Sequence, residues 1–205
     1  MTSKERDAML NPPLTALGYN QCAVLSRKFP YMDQITHVIV SPLRRTLETL
    51  HAAFGPVIDR ETPVVVWQDV KEWGYGNCNR GAPRVILNKQ LSTPNVDLSL
   101  LWPGYQNNRD SGSRRLKALQ IRDALVDFTN VALVGGEWKG VPVAKAEDGK
   151  DVHLLVVSHG NIMSALVTSG ANVIGINSFL YDIHFESADF VMPRNSILKY
   201  GSQEL

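Results

Sequence analysis

The chain has 205 residues, 44% hydrophobic and 20% charged, with a formal net charge of +1. That is enough apolar chain for one domain with a sizeable core, and the charge balance gives no global attraction to nucleic acid or to an anionic membrane. The charged start Met-Thr-Ser-Lys-Glu-Arg-Asp lacks an apolar signal core, no run approaches the roughly 18 apolar residues of a membrane span, and Cys22 and Cys78 form neither a CxxC pair nor a His/Cys cluster.

The expectation is a single domain over residues 1–205, cytoplasmic, with no disulfide framework, metal site or cofactor. Neither nucleic acid nor membrane is expected as a partner, there is no internal repeat, and nothing in the chain speaks to its oligomeric state.

After the polar start and Asn-Pro-Pro, Thr15 is placed to cap a helix carrying Cys22, Leu25 and Phe29 at three- and four-residue spacing, stopped by Pro30. The β-branched run from Thr36 to Val40 reads as a strand, with Ser41 as N-cap and Pro42 at the first position of a following helix. In that helix Leu43, Leu47, Leu50 and Phe54 form a core-facing stripe, which puts Arg45 on the opposite side. Pro63 to Trp67 reads as a second buried strand, and Gly74 to Pro83 as a long loop of the kind that lines sites.

Residues 84–91 suit a short helix, 93–112 look irregular around Trp102 and Tyr105, and 114 to about 134 carry a long amphipathic helix. Residues 135–150, rich in Gly and Lys, read as a surface excursion. Val152 to Val157 is a strand apolar enough to be covered on both faces, a helix from about Asn161 to Thr168 follows it, and Ser196 to Tyr200 offers a last strand. Strands alternating with helices predict an α/β three-layer sandwich with a mainly parallel central sheet.

In such a sheet, ligands bind in the crevice outside the carboxyl ends of the strands. Both Ser41 to Arg45 and Ser158 to Asn161 fall there, offering helix amides, a guanidinium and an imidazole to one phosphate group. Either residue alone would read as a solvated charge or a helix cap; together, each just past a strand, they define a candidate site. His37, His51, His153 and His184 have no such context and are assigned structural or surface roles.

These segments resemble the histidine phosphatase superfamily, of phosphoglycerate mutase-like fold, and in particular its fungal phosphomutase-like branch. Pro12-Pro13-Leu14-Thr15-Ala16-Leu17-Gly18 resembles its P-P-L-T-x-x-G, Ser41-Pro42-Leu43-Arg44-Arg45-Thr46 its S-P-x-x-R-[AT], and Trp67-Gln68-Asp69 its L-Q-E. Val96-Asp97-Leu98-Ser99 and Trp102-Pro103-Gly104-Tyr105 look like its V-D-F-S and E-G-W segment, and Val157-Ser158-His159-Gly160 its V-S-H-G.

The resemblance implies a mechanism in which an N-terminal histidine in an R-H-[GA] motif attacks phosphorus. Two arginines and a second histidine hold the phosphoryl oxygens, and an acid protonates the leaving oxygen. Carried over, Arg45 is the second arginine, a phosphate ligand; His159 is the second histidine, both phosphate-binding and catalytic; and Asp69 is the acid. The implied ligand is a small phosphorylated metabolite.

Three departures qualify this. No Arg-His motif precedes Pro12, which is expected to place it upstream of Met1 and to leave the fold short of its first strand, between the strands ending at Ser41 and Ser158. Asp69 is one methylene shorter than the family's glutamate, with Glu72 as a substitute donor. Cys78-Asn79-Arg80-Gly81 replaces a C-D-T-G, and Arg80, which could partly stand in for the absent arginine, is a loop arginine of the kind more often solvated and is not counted as catalytic. The readings carried forward are a phosphatase or phosphomutase without its nucleophile, a non-catalytic phosphate-binding or interaction protein, and a biosynthetic-pathway protein on the same scaffold.

Overall fold

The computed structural model describes residues 9–91, 94–107, 113–147 and 151–168, together with the backbone of two short strands at 178–180 and 196–198. Helix α1 (Ala16–Lys28) begins where Thr15 Oγ1 accepts a hydrogen bond from Gly18 N–H at 3.1 Å, and buries Cys22 and Leu25. It leads to β1 (His37–Val40), α2 (Arg44–Asp59) and β2 (Val64–Val66). Then come α3 (Arg84–Gln90), β3 (Val96–Asp97) and the 21-residue α4 (Arg114–Val134), which ends at Gly135 with a positive φ of 79°.

Strands β4 (Gly136–Trp138) and β5 (Val141–Val143) form a hairpin, followed by β6 (Leu154–Val157) and α5 (Gly160–Thr168). The strand expected at 196–200 is β8 (Ser196–Leu198), which pairs antiparallel with β7 (Ser178–Leu180) in a sheet of its own. His184 lies outside the described residues.

The central sheet has the order β3-β2-β1-β6 and every neighbouring pair is parallel. Its period-2 alternation builds two cores. Val38, Val40, Val64, Val66 and Val157 face α1, α2 and Leu87 of α3, whereas Ile39 and Val65 face Ile121 and Phe128 of α4 and Ile162 of α5. Both faces are therefore covered, giving three layers. The stripe read in the sequence, Leu43, Leu47, Leu50 and Phe54, is buried as expected.

Three expectations need correction. No gap separates the strands ending at Ser41 and Ser158: β1 and β6 pair directly, with His37 opposite Leu154 and Val40 opposite Val157. Among the described residues β6 instead forms the outer edge of the sheet, with Leu154, Leu155 and Val156 half-buried.

Residues 135–150 contain core. Trp138, Val141 and Val143 are buried in the hairpin, and the Trp138 indole N–H donates to Ala124 O at 3.0 Å. Trp138 also packs edge-on against Trp67 and Phe128. The tight turn uses Lys139 and Gly140, with φ of 51° and 78°, the left-handed pair that matches strand twist in two-residue hairpins.

Finally, α2 starts at Arg44, and Ser41 is not its cap. Leu43 occupies the N-cap position without a capping side chain, and the Arg44 N–H is satisfied by Asn11 Oδ1 at 2.9 Å. The Ser41 hydroxyl has a different partner.

Candidate functional site

Because β1, β2 and β6 are parallel and in register, the residues after Val40, Val66 and Val157 emerge at one level. Ser41 N–H donates to Val157 O at 3.0 Å, and Trp67 N–H donates to Val40 O at 2.9 Å. The chain beyond β2 curls through a short turn at Gln68–Val70. It is tied to the chain beyond β6 by the Ser158 hydroxyl, which donates to Val70 O at 2.7 Å. Three connections thus converge: Ser41 to Arg45, Asp69 to Glu72, and Ser158 to Asn161.

His159 is 5% exposed, and its Nε2 lies 2.8 Å from Ser41 Oγ. Burial holds its pKa well below the ordinary 6.5, and the positive charges of Arg45 and Lys71 push it the same way, so the imidazole is neutral near pH 7. Arg45, 3% exposed in the first turn of α2, donates from Nη1 to Cys78 O at 2.7 Å and from Nη2 to Asn79 Oδ1 at 3.0 Å. Asn79 is itself anchored, donating from Nδ2 to Trp73 O at 3.1 Å. The Gly74 to Pro83 loop therefore orients the guanidinium, which fixes the side chain before any ligand arrives.

Sequence reasoning missed Lys71. Its ammonium donates to Tyr105 O at 2.6 Å, and burial lowers its pKa to about 8. Arg80 is exposed and donates to Asn107 Oδ1 at 3.0 Å. Lys71 is close enough to His159 for its charge to act on the imidazole.

The two acids occupy different places. Glu72 accepts from Trp73 N–H at 2.8 Å and from both the side chain and the backbone N–H of Asn161, at the start of α5, close to the Arg45 charge. Burial still leaves its pKa raised. Asp69 lines a cavity of about 460 Å³ alongside Lys71 and Glu72. Desolvation raises its pKa, opposed by the charges of Lys139 and Lys117 and by a hydrogen bond from the Trp67 side chain.

His37 is structural: it is buried, its Nε2 is 2.8 Å from Ala144 O, and its ring packs edge-on against Phe128. Among the described residues no cluster of three or more His, Cys, Asp or Glu side chains is placed to hold a metal, and no helix is long and apolar enough to cross a membrane.

Comparison with known proteins adds a family. Residues 3–118 match the model of the histidine phosphatase superfamily (branch 1). Among solved structures, the chain is similar to a mycobacterial glucosyl-3-phosphoglycerate phosphatase, at 18% identity over 79% of this chain and 70% of that one, with a TM-score of 0.46. It is also similar to the ecdysone phosphate phosphatase of Bombix mori in complex with tungstate, at 19% identity over 77% of this chain and 56% of that one, with a TM-score of 0.49. Among curated proteins none matches.

Proposed function

The chain belongs to the histidine phosphatase superfamily, and from that premise we propose that the crevice beyond β1, β2 and β6 binds the phosphoryl group of a small phosphorylated metabolite. Arg45 and His159 are its phosphate ligands, and Lys71 supplies a further positive charge. The observation that carries this reading is the burial of the Arg45 guanidinium and the His159 imidazole, each held by hydrogen bonds, where the connections after strands far apart in sequence meet. A guanidinium able to bind two oxygens and an imidazole able to donate to a third, brought together at the carboxyl ends of parallel strands, suit a phosphoryl group.

Glu72 places a carboxylate close to the Arg45 charge. It sits at the α5 N-terminus, where free amides favour negative charge. Because Glu72 is committed to Asn161 and Trp73, Asp69 is the better proton donor to a leaving oxygen, and its raised pKa suits an acid. His159 acts by donating a hydrogen bond to a phosphoryl oxygen that gains charge in the transition state.

The covalent route of the family needs a second imidazole in the crevice, and among the described residues His159 is the one histidine there. Hydrolysis of p-nitrophenyl phosphate by this chain is accordingly expected to fall short of a family member that carries that imidazole by about 10⁴-fold or more, as when a covalent nucleophile is removed. Calorimetry with inorganic phosphate tests the pocket. Arg45→Ala and His159→Ala are expected to abolish binding, and unchanged affinity in Arg45→Ala rejects the assignment.

A further inference from the structure

Beside the crevice, with Lys71 and Glu72 in its lining, lies the cavity of about 460 Å³, and its walls are of two kinds. One is aromatic, contributed by Trp67, Trp73 and Trp102. The other is cationic: Lys71, Lys117 and Lys139.

Two carboxylates share this lining with the three ammonium groups: Asp69, on which the charges of Lys139 and Lys117 act, and Glu72, which is held by Asn161 and Trp73. Lys139 lies 5.5 Å over the Trp67 ring, so this charge is seated on the aromatic wall itself. Trp102 is 52% exposed at this cavity although an indole is among the largest apolar surfaces a side chain carries. Its backbone N–H donates to Gln68 Oε1 at 3.1 Å, and the turn after it needs Gly104 at a φ of 90°. A built turn that holds an indole against a cavity suits a flat ligand stacked on it.

We propose that the cavity receives the organic part of the phosphate monoester, and that this part is an aromatic ring bearing a second anionic group such as a carboxylate. The inference rests on the phosphate reading and names its substrate class: the ester oxygen faces Arg45 and His159, the ring stacks among the indoles, and the second anion meets Lys117 and Lys139. The volume accommodates a substituted ring with room for further groups.

The test is calorimetry on the full chain with four probes: inorganic phosphate, phenyl phosphate, 4-carboxyphenyl phosphate and glucose 6-phosphate. The carboxylated aryl ester is expected to bind tightest. Trp102→Ala should weaken both aryl esters by roughly tenfold. Lys117→Gln should weaken the carboxylated ester alone by about fivefold. Neither variant should alter inorganic phosphate.

Aryl esters that bind no tighter than inorganic phosphate, or no tighter than glucose 6-phosphate, overturn the inference and leave the phosphate pocket standing. Equal affinity for the two aryl esters removes the second anion. Inorganic phosphate that binds Arg45→Ala as well as it binds the natural chain overturns the phosphate reading, and this inference with it.

Discussion

Ser41 Oγ and His159 Nε2 stand 2.8 Å apart, joining the connection after β1 to the connection after β6 inside the crevice. The same hydroxyl oxygen is 3.4 Å from Leu43 N–H, so Ser41 sets both the imidazole and the backbone that leads into α2. Ser41→Ala leaves these groups without their partner in a buried place. It is expected to lower stability by about 1–2 kcal/mol in urea unfolding, and to weaken inorganic phosphate binding through a misplaced His159.

Stability should depend on pH below neutrality. His159 titrates well below 6.5 in the folded chain, so as pH falls through about 6.5 the unfolded chain takes up a proton that the folded one does not. Unfolding is therefore favoured as pH drops, and the contribution is flat above that range. Buried His37 acts in the same direction. Urea midpoints between pH 7 and 5 should fall less steeply in His159→Gln than in the natural chain; parallel slopes would contradict the burial assigned to this imidazole.

Lys71 predicts the opposite limb for ligand binding. With a pKa of about 8 it loses its charge as pH rises past that value, and its help to a bound anion goes with it. Affinity for inorganic phosphate should decline through pH 8 in the natural chain and vary little there in Lys71→Met. The same titration relieves a buried charge in the folded chain, so Lys71 contributes a gain in stability between pH 8 and its ordinary 10.5.

Glu72 holds an anion's place at the start of α5. Glu72→Gln removes a like charge from the crevice while keeping the shape of the side chain, and is expected to tighten phosphate binding by about tenfold. Weaker binding would instead make Glu72 a support for Arg45.

Trp138→Ala tests whether the hairpin belongs to the core. The indole is buried against Trp67 and Phe128 and donates to Ala124 O. Its removal should cost about 3–5 kcal/mol in thermal or urea unfolding, whereas a surface excursion would tolerate it.

The hairpin also marks a limit of sequence reading. Period and capping were legible: Thr15 announces α1, the Leu43 to Phe54 stripe announces α2, and α4 spans the residues its spacing requires. At 135–150 the glycines and lysines masked a signal that was present, since Trp138, Val141 and Val143 flank a Lys-Gly pair able to take two left-handed conformations.

The placement of Arg45 and His159 beyond strand ends was legible because each follows a β-branched or apolar run. Lys71 was not: it sits in Val-Lys-Glu-Trp, and only the turn at Gln68–Val70 carries it toward His159. The direct pairing of β1 with β6 was equally out of reach, because strand order is set by the packing of helices and crossovers that no local pattern encodes.

The partners in the Ser41 to His159 contact are 118 positions apart along the chain. A ribosome releases β1 long before it has made β6, so the nascent N-terminal half waits with one side of β1 unmated and Arg45 lacking its imidazole neighbour. Closing so long a loop comes late in folding and slowly. Chaperone demand during synthesis, and sensitivity to stalling between α4 and β6, should therefore track ligand-binding competence more closely than helix content does.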